Sequence, residues 1–232
     1  MKAKRWLAIL PMMALVACAD SGEAPIQPES TIAIEASSST TKPEVIIEII
    51  NDVKIDFDSL GIKDYTYPTE FVLGQNLSGA ITELVLTFEE YNIDETEADY
   101  YMESFLFHFC QNTRFTFDYL EKVREENNAI MTKEQVEYVQ YSLTNKFIDM
   151  QKDISEEGIN INEAAGSLGY GRILSYQAEV VGNEVNLVAE FERGTNEFEP
   201  TKLYELNVVL VKNPKSCFDG YSIKSIASKN IQ

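Results

Sequence analysis

The sequence predicts an α+β fold, with N-terminal helices packed on one face of a C-terminal antiparallel β-meander of about four strands. Three observations carry this. Apolar residues recur at helical spacing between Ile81 and Ile154, the period changes to two from about Leu174 onward, and Gly182-Asn183 stands where two alternating runs meet. A sheet with one apolar face needs a layer to cover it, and helices that precede the strands supply one. The segment 44–232 reads as a single globular domain, long enough for one sizeable core and short for two.

Ahead of that domain, residues 1–17 read as a secretory leader. Lys2, Lys4 and Arg5 form a cationic start, Trp6 to Val16 an uncharged apolar run, and Leu15-Val16-Ala17-Cys18 a small-residue cleavage site that ends on cysteine. The run is short for a bilayer span, which takes about 20 residues. These four residues resemble the lipobox of bacterial lipoproteins at every position. That resemblance implies cleavage before Cys18, a thioether-linked diacylglycerol on its sulfur and acylation of the new N-terminus. Each buried methylene contributes about 0.8 kcal/mol, so two or more chains hold a protein on a membrane where one binds reversibly. The expected location is therefore extracytoplasmic, anchored to the cell membrane or the outer membrane.

Residues 18–43 comprise the lipidated cysteine and a stretch rich in Ser, Thr, Pro, Ala and Glu without aromatic residues. Such a segment buries too little apolar surface to offset its ordering entropy. It reads as a disordered tether, spanning roughly 25–30 Å on average as a flexible coil. The domain then opens on VIIEIINDVKIDFD, where Val53, Ile55 and Phe57 alternate with Asp52, Lys54, Asp56 and Asp58, a period of two that predicts a strand. A short helix over 45–50 is the alternative.

Helices follow. Ile81, Leu84, Val85 and Phe88 lie at i, i+3, i+4 and i+7, and Ala98, Tyr101, Met102, Phe105, Leu106 and Phe109 repeat the stripe after an Asp94-to-Glu97 capping box. A short helix is predicted over 117–126. Thr132-Lys133-Glu134-Gln135 supplies a second capping box, and Val136, Val139, Leu143, Phe147, Met150 and Ile154 continue its helix to Gly158, where a left-handed residue would end it. The predicted rod is about 37 Å long.

In the last third, a two-residue turn at Gly182-Asn183 pairs Val180 with Val185, Ala178 with Leu187, Tyr176 with Ala189 and Leu174 with Phe191. The other face then collects Ser175, Gln177, Glu179, Glu184, Asn186 and Glu190, interrupted by Val181 and Val188. A slip of one residue would mix the two faces. Further strands are predicted over 202–212 and 220–226. This order, closing on Gly220-Tyr221-Ser222-Ile223, resembles the NTF2-like or cystatin-like folds of secreted bacterial domains over residues 76–226. The resemblance implies a sheet curved around a helix and a pocket between them, and it carries over no catalytic residue.

Charge and residue types narrow the function. The chain has 38 acidic and 19 basic residues, a formal charge of −19, and loss of the leader removes three of the cations. Such a surface repels phosphate backbones, which excludes nucleic acid as a partner. His108 is the sole histidine and, beside an apolar stripe, reads as a core-edge residue. Asp56 to Gly61 begins like a calcium loop, but Leu60 and Tyr67 stand where ligands belong. Gly166, Gly169 and Gly171 lack the strand-then-helix setting of a phosphate cradle. The doublets Glu89-Glu90, Glu125-Glu126 and Glu156-Glu157 read as solvated helix ends, and the sequon at Asn76 as idle. No metal site and no cofactor is implied.

With Cys18 committed to lipid, Cys110 and Cys217 form an even pair and a possible disulfide in an oxidising compartment. The expected function is a non-enzymatic protein-interaction or assembly role at the envelope, with an unknown envelope protein as partner and the membrane reached through the anchor. A carrier of a small apolar ligand, held between helices and sheet, is the alternative. A closed apolar cavity would favour the carrier, and an exposed apolar patch the interaction module.

Overall fold

Helix α1, Gln75–Phe88, buries the predicted stripe, with Leu77, Ala80, Ile81, Leu84 and Val85 all in the core of the computed structural model. The structure describes residues 55–88, 90–94, 98–148, 150, 154–162, 169–195 and 201–232. The leader, Cys18, the tether, Glu97 of the expected capping box and Gly166 lie outside them. The first turn of α1 is capped from far along the chain, since the Leu77 N–H donates to Asp219 Oδ2 at 2.8 Å. Asn76 joins two helix starts, its Oδ1 accepting the Asp118 N–H at 3.2 Å.

After a two-residue strand β1, Tyr91–Asn92, comes α2, Ala98–Phe105, which continues into a π-helical turn, Leu106–Gln111. Tyr101, Phe105 and Phe109 stack along this rod at ring separations of 6.0 and 5.9 Å, an i, i+4 column that anchors it to the core. Helix α3, Asp118–Glu126, buries Tyr119, Leu120 and Val123. Strand β2, Ile130–Met131, leads into α4, Lys133–Thr144, which opens on the predicted capping box at Thr132.

The expected rod is cut short. Helix α4 ends at Thr144, and Asn145 adopts the left-handed conformation, φ +57°. Side chains compete with the helical ladder there: Thr144 Oγ1 donates to the Gln140 carbonyl at 3.0 Å and accepts the Lys146 N–H at 3.1 Å. Met150 and Ile154 still reach the core, as the periodicity requires, but from a returning segment, where the Met150 N–H donates to Glu137 Oε1 at 3.2 Å. Gly158 does have positive φ, +82°, but in the turn before β3, Ile159–Asn160, where a Cβ would collide with the Met131 carbonyl of the partner strand β2.

The alternation at Ile55 and Phe57 does not give a strand either. Asp56 Oδ1 accepts the Ser59 N–H at 3.0 Å and the Ile62 N–H donates to the Phe57 carbonyl at 2.8 Å, so the described end of that segment is a turn. Residues 44–54 lie outside the described ones. Ile55 is buried nonetheless, and Phe57 packs its ring against Tyr138 and Tyr141.

Four long strands then form the meander: β4, Tyr170–Val181; β5, Glu184–Gly194; β6, Lys202–Lys212; and β7, Tyr221–Asn230. With β1 they make one antiparallel sheet in the order β1-β7-β6-β5-β4. The hairpin register is as predicted for Val180↔Val185, Ala178↔Leu187 and Tyr176↔Ala189. A bulge at Leu174 then shifts it, so that Ile173 and not Leu174 faces Phe191. Val185, Leu187, Ala189 and Phe191 of β5, Leu206, Val208 and Leu210 of β6, and Ile223 and Ile226 of β7 are buried under α1 and α4. Each of these side chains larger than alanine stabilises the fold by about 1.5–3 kcal/mol. No helix among the described residues is long and apolar enough to cross a membrane.

Candidate interaction surface

The cover of helices reaches only the start of β4. Helix α1 reaches the start of this strand, where Thr82 lies against Gly171, but every residue from Leu174 to Val181 is exposed. Tyr176 and Val180 point to the same side of the sheet as their buried partners Ala189 and Val185, yet they are 40 % and 48 % exposed. Beside them, Phe71 meets the Tyr176 ring edge-on at 6.1 Å. The Leu73 N–H donates to the Tyr176 hydroxyl at 3.2 Å. An apolar ledge of Phe71, Tyr176, Ala178 and Val180 thus runs along the end of the sheet.

The backbone of β4 adds to this ledge. In a two-residue hairpin the closing pair, here Val181 and Glu184, exchanges both of its bonds, and pairs alternate from there. Glu179, Gln177 and Ser175 therefore bond to β5, whereas Val180, Ala178 and Tyr176 direct N–H and C=O away from it. Strand β4 is the last strand of the sheet, and those groups face an open edge. The same three residues offer backbone and ledge side chains together, the arrangement that strand addition uses.

Polar features elsewhere are more self-contained. His108 Nδ1 lies 3.0 Å from Glu83 Oε1, with both residues buried where the π-helical turn meets α1. The sequence shows the histidine and hides its partner, because Glu83 is one acid inside an apolar run. Among the described residues no nucleophile is hydrogen-bonded to this pair, and no three His, Cys, Asp or Glu side chains gather as a metal requires. Glu83 also borders a groove of about 430 Å³ shared by Ser78, Thr82, Arg114, Tyr170 and Arg172. A second groove, about 620 Å³, lies between Phe88, Tyr91, Tyr100 and the outer sides of β6 and β7. Neither is a purely apolar chamber.

The cysteines expected as disulfide partners, Cys110 and Cys217, are both free thiols in the structure. Burial pushes the Cys110 thiol far up, and the neighbouring Cys217 adds to the shift. Cys217 is pushed up to about 12, first by burial and against the help of the Ser142 hydroxyl. Thiols held protonated in this way are poor nucleophiles at neutral pH. Glu125, Glu126, Glu156 and Glu157 are solvent-exposed, and Glu90 likewise. Cys18 lies outside the described residues.

No protein-family model, curated protein or solved structure matches the chain.

Proposed function

We propose that the protein is a lipid-anchored component of the cell envelope with a non-enzymatic interaction role, and that its domain takes up an extended segment of a partner protein along β4. The observation that carries this reading is the open edge from Leu174 to Val181, exposed on both faces, whereas the inner faces of β5 and β6 are buried. The leader ending on Leu15-Val16-Ala17-Cys18 supports the anchor. A tethered domain with an adhesive edge holds its partner near a membrane without needing chemistry of its own. The grooves, lined by Glu83, Arg114 and Asn207 as well as apolar side chains, give less support to an apolar-ligand carrier.

Two experiments test the two halves. Cys18→Ala should move the protein from the detergent-extracted membrane fraction to the soluble fraction, or leave the leader uncleaved, and should abolish metabolic labelling with a fatty acid. Unchanged labelling would rule out the anchor. For the edge, a photo-crosslinking residue at Gln177 should give one discrete protein adduct in living cells, and Ala178→Pro should remove it. Proline at 178 deletes an outward N–H while sparing the ladder to β5, so the fold should persist. Adducts of equal yield from Glu125 on α3, or adducts that survive Ala178→Pro, would refute use of the edge.

A further inference from the structure

The solvent face of the sheet next to the open edge is unevenly charged. Four residues lie in one row across it: Ser175 on β4, Glu190 on β5, Glu205 on β6 and Lys229 on β7. Glu190 and Glu205 are directly opposite one another, a like-charge pairing that weakens a sheet by itself. Among the described residues neither has an ion-pair partner. Two rows toward the hairpin, past Gln177 and Val188, Glu179 stands exposed at the edge, opposite Asn186.

The other charges nearby are already engaged. Arg172 Nη2 lies 2.8 Å from Glu192 Oε1, and Lys224 Nζ 3.0 Å from Glu184 Oε1. Lys212 donates to the Gly182 carbonyl at 3.4 Å and covers the ring of Tyr67. With strands about 4.8 Å apart, a strand added beside β4 would lie about 5 Å from Glu179, 10 Å from Glu190, 14 Å from Glu205 and 19 Å from Lys229. Screening at physiological salt has a length of about 8 Å, so the two nearest glutamates set the field and the distant lysine does not offset them. Ser175 is small, and a long cationic side chain opposite it can extend across to Glu190.

We infer that the segment accepted by β4 is a basic strand, with Lys or Arg at alternate positions on the solvent face and apolar residues on the ledge face against Tyr176, Ala178 and Val180. This rests on the strand-addition reading above and adds the chemistry of the partner. Cross-strand pairs of opposite charge strengthen pairing a few-fold each, so two of them should give a preference of about tenfold.

The test uses the full-length chain in detergent and three labelled ten-residue peptides with valine at every second position and Lys, Ser or Glu between. Fluorescence anisotropy should show the Lys peptide binding about tenfold tighter than the Ser peptide at about 150 mM salt, with most of the advantage lost at about 1 M. Glu179→Gln with Glu190→Gln should remove the preference while leaving Ser-peptide binding unchanged. Equal binding of the Lys and Ser peptides would overturn the inference and leave strand addition standing. Binding of neither would overturn both. A Lys peptide that binds Ala178→Pro as well as the parent protein would mark adhesion to the acidic surface at large, and a parent protein that dimerises through β4 would assign the edge to a second copy; either result overturns the inference.

Discussion

Replacing Phe218 with alanine is expected to lower the stability of the domain by about 3–5 kcal/mol, a fall of roughly 10 °C in melting temperature. Phe218 is fully buried, and its ring meets Phe117 at 5.0 Å and Phe109 at 6.2 Å. It therefore joins α3 and the π-helical turn to the loop between β6 and β7. The cavity left by truncation cannot collapse easily, because that loop is fixed on both sides of the ring. Ser216 Oγ lies 2.7 Å from the Tyr221 carbonyl and 2.9 Å from that of Ser142, and the Cys217 N–H donates to Ser142 Oγ at 3.2 Å. On the other side, Asp219 caps α1. Denaturant unfolding of the two proteins measures the difference. A loss below about 1 kcal/mol would mean that the ring is not packed as described. Phe218→Leu should cost less, since it keeps much of the volume.

Local patterns predicted local structure well, and the failures arise where the chain makes contacts that pattern cannot report. The helical stripes in α1 and α2 and the capping box at Thr132 were legible because each depends on residues a turn or less apart. The hairpin register was legible from Gly182-Asn183 to Tyr176 for the same reason. Beyond it, the bulge at Leu174 left no mark in the alternation. The continuous stripe from Val136 to Ile154 reported burial correctly and backbone path wrongly. Asn145 turns the chain, and Met150 reaches the same core by returning toward Glu137. Asp56 likewise converted an alternating segment into a turn through its own side chain.

The candidate surface was half legible. Alternation shows that Tyr176, Ala178 and Val180 share a face with Leu187 and Ala189, but it does not show where the covering helices end. That boundary depends on the placement of α1 over the start of β4, a tertiary fact. The Glu190–Glu205 opposition was hidden in the same way, because it depends on the β5–β6 register. His108 was visible and its partner Glu83 was not.

Alkaline solution should unfold the domain in one cooperative step between about pH 11 and 13. Tyr91, Tyr101, Tyr119 and Tyr138 are buried, and burial is the first cause that raises each phenol well above its ordinary pKa. The Tyr101 hydroxyl neighbours the Tyr91 hydroxyl and Gln140, but neither hydroxyl nor Gln140 Oε1 forms a hydrogen bond of standard geometry. In the unfolded chain these phenols ionise near pH 10, so above that value the folded state binds more protons than the unfolded state. The stability they contribute is complete below about pH 10 and is lost as pH rises toward their folded values. Each removes about 1.4 kcal/mol per pH unit, and four together about 5 kcal/mol per unit. A domain of ordinary stability, about 5–15 kcal/mol, is exhausted within one to three units. Tyrosinate absorbance and far-UV circular dichroism followed against pH should therefore change together. Tyr101→Phe, which removes one of the ionisations and a hydroxyl without a standard partner, should move the midpoint upward. Smooth ionisation of all 12 tyrosines around pH 10 with the circular dichroism intact would mean that these four hydroxyls reach solvent, and that the layer between α2, α4 and the sheet is open where the structure has it closed.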